Sequence, residues 1–299
     1  MQLTDWKAKG KYFTYKNQSI FYVQAGQNAN QPDKAHLLLI HGFPTSSWDW
    51  HKIWQPLTEK FVVTALDMIG FGYSAKPYKY YYNIHDQARL HEALLTELGI
   101  KKCHILAHDY GDTVAQEMLA AFLDRAKQGT LQTGVEIQSL CLLNGGLFPE
   151  THQPRTIQKM LISPLGVWVT KLMNKKRFSQ RFSEVFGAHT QPTSQELDDF
   201  WQLIALNNGH RIGHKLIRYM NERKVYRERW VGGLKNSIVP IRLINGPADP
   251  ISGKHMVARY KEVVDNPDVV MLDDTIGHYP QVEDPEGVLQ AFLAFVGGI

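Results

Sequence analysis

Cysteine is scarce in this 299-residue chain: only Cys103 and Cys141 occur, both within apolar strand-like runs. That scarcity excludes a disulfide-stapled scaffold and suits two reduced core thiols in a reducing, cytoplasmic setting. Long hydrophobic runs are missing too. The most apolar stretch outside the strand-like segments, MLISPLGVWVTKLM, is about 14 residues long and is broken by Pro164 and Gly166, whereas a membrane helix needs about 20. The N-terminal MQLTDWKAKGKYFTYKNQ is polar and has no apolar core, so no signal peptide is expected. Neither charge dominates: 33 Lys and Arg face 29 Asp and Glu, a net of +4. Nucleic-acid binding calls for a concentrated basic face, so that class is set aside. No internal repeat or low-complexity tract stands out.

What the chain does have is rhythm. YFTYK and SIFYVQAG alternate polar with apolar residues, as an edge hairpin does. HLLLI (36–40), FVVTALD (61–67), CHILAHD (103–109), IQSLCLLN (137–144), PIRLING (240–246) and DVVMLD (268–273) are continuous apolar runs, as in strands buried on both faces. Helical patterns at 84–98, 111–126, 254–264 and 284–296 lie between most of them. The alternation predicts an α/β fold with a doubly wound, mostly parallel sheet. Between Leu147 and about Gly232 no strand is evident, only helix-like segments rich in Trp, Phe, Arg and Lys. Residues 148–232 are therefore expected to form a helical cap, with 1–147 and 233–299 as the core. The cap would sit over the C-terminal edge of the sheet, where open α/β sheets bind ligands. It holds 14 Lys and Arg against 7 Asp and Glu, a charge of +7 that leaves −3 for the rest. A solvated helical surface explains that, and the alternatives are an anionic substrate or an anionic membrane surface.

The chemistry centres on Ala107-His108-Asp109-Tyr110-Gly111. An apolar strand turns there into a helix, as in the nucleophile elbow G-x-S-x-G, with Ala for the first Gly and Asp for Ser. Taken alone, Asp109 reads equally as the N-cap of a helix starting near Thr113. Two further residues shift the balance. Asp249 follows the strand ending at Asn245, and His278 lies between the last strand and the last helix. Nucleophile, acid and histidine then stand in the order and on the loops of the α/β-hydrolase fold. HGFP (41–44) follows the HLLLI strand, where that fold places its oxyanion loop. The backbone N–H groups of Phe43 and Tyr110 are the expected donors, and the Phe43–Pro44 bond is expected to be cis.

HGFPTSSWDW, LDMIGFGYSAKP, AHDYGD and the Asp249 and His278 loops resemble the haloalkane dehalogenase and epoxide hydrolase branch of the α/β-hydrolases. HDYGD, LCLLNGGLFPETHQP, RERWVGG, GPADP and HYPQVEDP resemble signatures of the mesoderm-specific transcript protein family. The resemblance runs through nearly the whole chain. It implies a helical cap and hydrolytic chemistry, and the second family leaves the substrate open.

An aspartate nucleophile narrows the reaction. Attack on an ester carbonyl would give a reactive anhydride, whereas attack on an sp³ carbon opens an epoxide or expels a halide and leaves a stable alkyl ester. His278 would then activate water against that ester, with Asp249 orienting the imidazole, and no metal or organic cofactor is required. Dehalogenases hold the halide with N–H donors, commonly a Trp after the nucleophile and an Asn or Trp elsewhere. Here those places hold Tyr110 and Phe43, leaving Trp168, Trp201 or Trp230 as substitutes. Epoxide hydrolases use cap tyrosines as acids. Tyr219 fits, with Tyr226 as the alternate, while Phe178, Phe182 and Phe186 stand where a second tyrosine is expected. The expected reading is an epoxide hydrolase-like enzyme, with haloalkane dehalogenase as the alternative and a non-catalytic binding protein as a third. The pocket is expected to be closed and apolar, lined by Phe43, Trp48, Tyr110, Leu147 and cap aromatics such as Trp168, with the cationic residues outside. Arg211, Arg218 or Arg223 pointing into the cavity would instead favour an anion, such as a haloacid or an epoxy fatty acid. The expected partner is a small molecule and neither nucleic acid nor, on balance, a membrane surface, and the chain is expected to be a monomer or homodimer.

Overall fold

The structure is a computed structural model that describes residues 1–29 and 33–299. Eight strands form one sheet: β1 (Gly10–Tyr15), β2 (Gln18–Ala25), β3 (His36–Ile40), β4 (Val62–Leu66), β5 (Lys102–His108), β6 (Glu136–Leu143), β7 (Ile241–Asn245) and β8 (Asp268–Met271). Their spatial order is β1-β2-β4-β3-β5-β6-β7-β8. β1 and β2 make the expected edge hairpin, β2 also runs antiparallel to β4, and every other pairing is parallel.

The continuous apolar runs have a direct cause. Along β3 the odd residues Leu37 and Leu39 face one hydrophobic layer, and Leu38 and Ile40 face the other. β5 behaves alike, with Leu106 on one side and Ile105 and Ala107 on the other. With helices on both faces, no strand position is left for water, and period-two alternation disappears.

The helices in chain order are α1 (Leu3–Lys9), α2 (Trp54–Lys60), α3 (Ile84–Glu97), α4 (Tyr110–Gln128), α5 (Thr156–Ile162), α6 (Gly166–Lys171), α7 (Lys175–Ser183), α8 (Ser194–Ala205), α9 (Gly213–Leu216), α10 (Tyr219–Val225), α11 (Arg227–Lys235), α12 (Lys254–Val263), α13 (Pro280–Glu283) and α14 (Pro285–Val296). The stretch between β6 and β7 holds α5 to α11 and no strand. The boundary expected at residue 232 falls inside α11. That helix is anchored to α4, where Trp230 Nε1 donates to Glu117 at 2.7 Å and Arg229 bonds both Glu117 and Asp124. Its packing makes it a sheet-flanking helix. α1, absent from the sequence reading, is held by Leu3 and Trp6, whose indole meets Trp54 edge-on at 4.8 Å.

Candidate active site

β5 ends at His108, and the chain turns through Asp109 into α4. Asp109 adopts φ 49° and ψ −103°, a region that non-glycine residues seldom occupy and that marks strain at functional positions. It stands at the N-cap of α4, yet its side chain makes no capping bond. The plain helix-cap reading of Asp109 is therefore wrong. Room for the turn comes from two glycines. A Cβ on Gly111 would lie 2.4 Å from the Ile40 carbonyl oxygen, and one on Gly42 2.6 Å from His108 Nδ1.

Three side chains from separate loops meet there. His278 Nε2 is 3.9 Å from Asp109 Oδ2, and His278 Nδ1 is 2.8 Å from Asp249 Oδ2. Asp249 also accepts from Asn144 Nδ2 at 3.0 Å, Ser252 Oγ at 2.7 Å and the Ile251 amide at 2.7 Å. Asn144 directly follows β6 and offers no carboxylate of its own. In the fold it secures the carboxylate supplied by the next loop. The Phe43 amide donates to Asp109 Oδ2 at 3.2 Å, and the Phe43–Pro44 peptide is cis, as expected. Tyr110 opens α4 directly after Asp109, with its ring buried 5.5 Å from Phe71 and 4.6 Å from Tyr219.

Charge in this buried cluster is balanced tightly. Burial alone would raise the Asp109 carboxyl, but the His278 imidazole and the Arg223 guanidinium outweigh it and hold the group well below the usual carboxylate range. Burial would lower His278, and Asp249 and Asp109 together push it up to about 10. Asp112, fully buried one turn on, goes the other way: desolvation and the Asp109 charge raise it well above the carboxylate range. His108 stays neutral, lowered to about 4 by burial, and its Nε2 lies 2.7 Å from the His278 carbonyl oxygen.

Arg223 was named from sequence only as one of three arginines that could point into the cavity; its side chain instead turns to Asp109 and is not among the residues of the cavity wall. It sits on α10, is 3% exposed, and donates from Nη2 to the Asp109 carbonyl at 3.1 Å and from Nε to Thr113 Oγ1 at 2.8 Å. The cationic residues were expected on the outside, and Arg211 and Arg218 are indeed exposed. Arg223 turns inward because a carboxylate and a helix-start carbonyl are there to receive it. No local signal separates it from its basic neighbours on the chain. Tyr219, one helical turn earlier, is 2% exposed, and the guanidinium lies 4.5 Å above its ring. Burial raises its hydroxyl above the ordinary range, and the adjacent Asp109 carboxylate adds to the rise.

A cavity of about 150 Å³ adjoins Asp109 and His278. Its wall includes Phe43, Leu161, Phe178, Phe182, Trp201 and Tyr279, with Arg155, Arg181 and Lys76 among the polar members. Four expected wall residues lie elsewhere, among them Tyr110, whose ring packs against Phe71 and Tyr219. Trp48 is buried against Trp6 and stacks on His51 at 4.2 Å, because its place in the turn after HGFP faces the sheet. Leu147 is packed inside the hydrophobic layer. Trp168 is 62% exposed on α6, with Lys171 over its ring at 4.7 Å. Tyr226 is exposed as well, beside His85.

Glu283, five residues after His278, went unnoticed in the sequence. Its carboxylate accepts the amides of Gly277 and Tyr279 on the His278 loop, and the Gly187 amide and Thr190 hydroxyl on the helical insertion, all at 2.6–2.8 Å. The His278 amide donates to the Val185 carbonyl at 2.9 Å, and Tyr279 stacks on Phe186 with ring centroids 5.1 Å apart.

Residues 35–285 match the alpha/beta hydrolase fold family. The chain is 45% identical to the mesoderm-specific transcript homolog protein of Bos taurus, over 98% of this chain and 88% of that one. In three dimensions it is similar to an epoxide hydrolase, CorEH, with a TM-score of 0.76, 18% identity, and 97% and 98% of the two chains covered. It is similar also to a haloalkane dehalogenase DbeA loop variant from Bradyrhizobium elkanii, with a TM-score of 0.78, 20% identity, and 97% and 96% covered.

Proposed function

This chain belongs to the α/β-hydrolase family and within it to the mesoderm-specific transcript proteins, and from that premise we propose that it hydrolyses small apolar epoxides through an ester on Asp109. The observation that carries the reading is the Asp109 carboxylate itself: ionised, strained, one oxygen on the Phe43 amide, with His278 beside it. A serine in this place would suit acyl transfer. A carboxylate suits attack on an sp³ carbon, and a cavity wall made mostly of apolar side chains favours neutral electrophiles.

In the first step an Asp109 oxygen bonds to one epoxide carbon, and that carbon's bond to oxygen breaks. The leaving alkoxide takes a proton from the Tyr219 hydroxyl, and Tyr219 is reprotonated at the expense of the His278 imidazolium. Esterification also removes the Asp109 charge that helps to hold His278 up near 10, so the imidazole becomes free to serve as a base. In the second step neutral His278 takes a proton from water, and the hydroxide attacks the ester carbonyl. The oxyanion is held at the Phe43 and Tyr110 amides. Collapse releases the diol and restores Asp109 and the imidazolium, so the sum is epoxide plus water to diol.

Tyr219 beside the carboxylate favours this over halide release. Of the three tryptophans that could hold a halide, Trp168 faces outward and the Trp230 N–H is spent on Glu117, which leaves Trp201 in the cavity wall as the donor the dehalogenase alternative would use. The deciding experiment is intact mass of His278→Gln after exposure to panels of epoxides and haloalkanes. An adduct equal to the whole epoxide, mapped to Asp109, is expected. Adducts from haloalkanes alone would assign the dehalogenase reaction, and absence of any adduct would leave a binding role on a hydrolase scaffold.

A further inference from the structure

Leu165, Trp168 and Leu172 lie at intervals of three and four, along one face of α6, and each is 62% exposed. The opposite face of the same helix, Gly166 and Thr170, is buried. Met160, at 44%, extends the apolar surface onto α5. Three large apolar side chains thus line up on the outward face of one short helix, and contiguous patches of this kind mark binding surfaces.

The surrounding charge is one-sided. From Thr151 to Ser183 there are seven basic residues, Arg155, Lys159, Lys171, Lys175, Lys176, Arg177 and Arg181, and no Asp or Glu. Lys159, Lys171, Lys175, Lys176 and Arg177 are all exposed. Arg155 and Arg181 both pair with Glu184 and Lys175 pairs with Asp198, while Lys171 lies over the Trp168 ring, so among the described residues the cations that flank the apolar face without an ion pair are Lys159, Lys171, Lys176 and Arg177. Self-association through this face would set cations against cations. An anionic lipid surface answers both features: Leu and Trp enter the acyl and headgroup boundary, and the lysine stems reach back to the phosphates. The inner faces of α5 and α6 supply Ile157, Leu161 and Thr170 to the wall of the cavity that adjoins Asp109.

We propose that the face formed by Met160, Leu165, Trp168, Leu172 and their flanking lysines docks the protein reversibly on anionic membranes. This docking is read without turnover, so it stands or falls separately from the Asp109 chemistry. The test is flotation of the full chain with vesicles of phosphatidylcholine, alone or with about 30 mol% phosphatidylserine. Binding is expected to be about tenfold stronger to the anionic vesicles and to be lost at high salt. Leu165→Ser/Trp168→Ser/Leu172→Ser should lose it while keeping the melting temperature, because all three side chains face solvent. Lys171→Gln/Lys176→Gln/Arg177→Gln should weaken binding independently, which keeps the test open if the first variant misfolds. No flotation of the wild type, undiminished binding by both variants, or a wild-type dimer that the first variant dissolves would each overturn the proposal.

Discussion

Arg223 Nη2 lies 3.7 Å from Asp109 Oδ1 while donating to the Asp109 carbonyl, so one guanidinium braces both the strained backbone and the charge of the same residue. The two are 114 positions apart in sequence and belong to different layers of the molecule. Arg223→Met strands a buried carboxylate and should cost about 3 kcal/mol of stability in denaturant titration. The same change should let the Asp109 carboxyl rise, moving the acid limb of its alkylation to higher pH. An unshifted acid limb would show that Arg223 has no electrostatic hold on Asp109.

His278 makes stability depend on alkaline pH. The folded imidazole keeps its proton up to about pH 10, whereas in the unfolded chain it is lost near 6.5. Across that interval the folded state binds more protons, so this contribution is complete below about 6.5 and disappears as pH rises toward 10. Melting temperatures of the wild type and His278→Gln, measured between those limits, should converge as pH increases. Parallel curves would contradict a raised imidazole.

Asn144→Ala removes one of four groups bonded to Asp249 and the acceptor for the Gly246 amide. A stability loss of about 1–2 kcal/mol is expected. Release of the Asp109 ester should slow by roughly tenfold, with alkylation little changed, because Asp249 acts on the base. Rapid-quench mass spectrometry separates the two rates, and equal slowing of both would remove Asn144 from that role.

Tyr219→Phe keeps the ring contacts with Tyr110 and Phe43 and deletes only the hydroxyl. Opening of an accepted epoxide should slow by about 100-fold, and hydrolysis of a preformed ester should not. Turnover equal to the wild type would take Tyr219 out of the reaction.

The central strands were legible in the sequence because burial on both faces leaves no position for a polar residue, as Leu37 to Ile40 show. The chain order of Asp109, Asp249 and His278 was legible too, since each follows a strand whose apolar run is easy to see. Arg223 was not, because α10 and its flanks are dense with Arg and Lys, and only the tertiary path to Asp109 separates it from exposed Arg218. Trp168 misled for a similar reason. A tryptophan on a short helix reads as an inward anchor, but α6 turns Gly166 and Thr170 to the interior because only small side chains fit there. A Cβ on Gly166 would stand 2.1 Å from the Leu161 carbonyl oxygen.

The four bonds of Glu283 bear on the order in which the site is completed during folding. Glu283 lies 96 and 93 positions after Gly187 and Thr190, which it joins to the His278 loop. Closing a loop of that length is slow relative to the local strand-to-helix step that builds the Asp109 elbow. We therefore expect the backbone of the elbow to be protected before the His278 loop is tied to the insertion, and pulsed hydrogen exchange showing the two protected together would contradict that order.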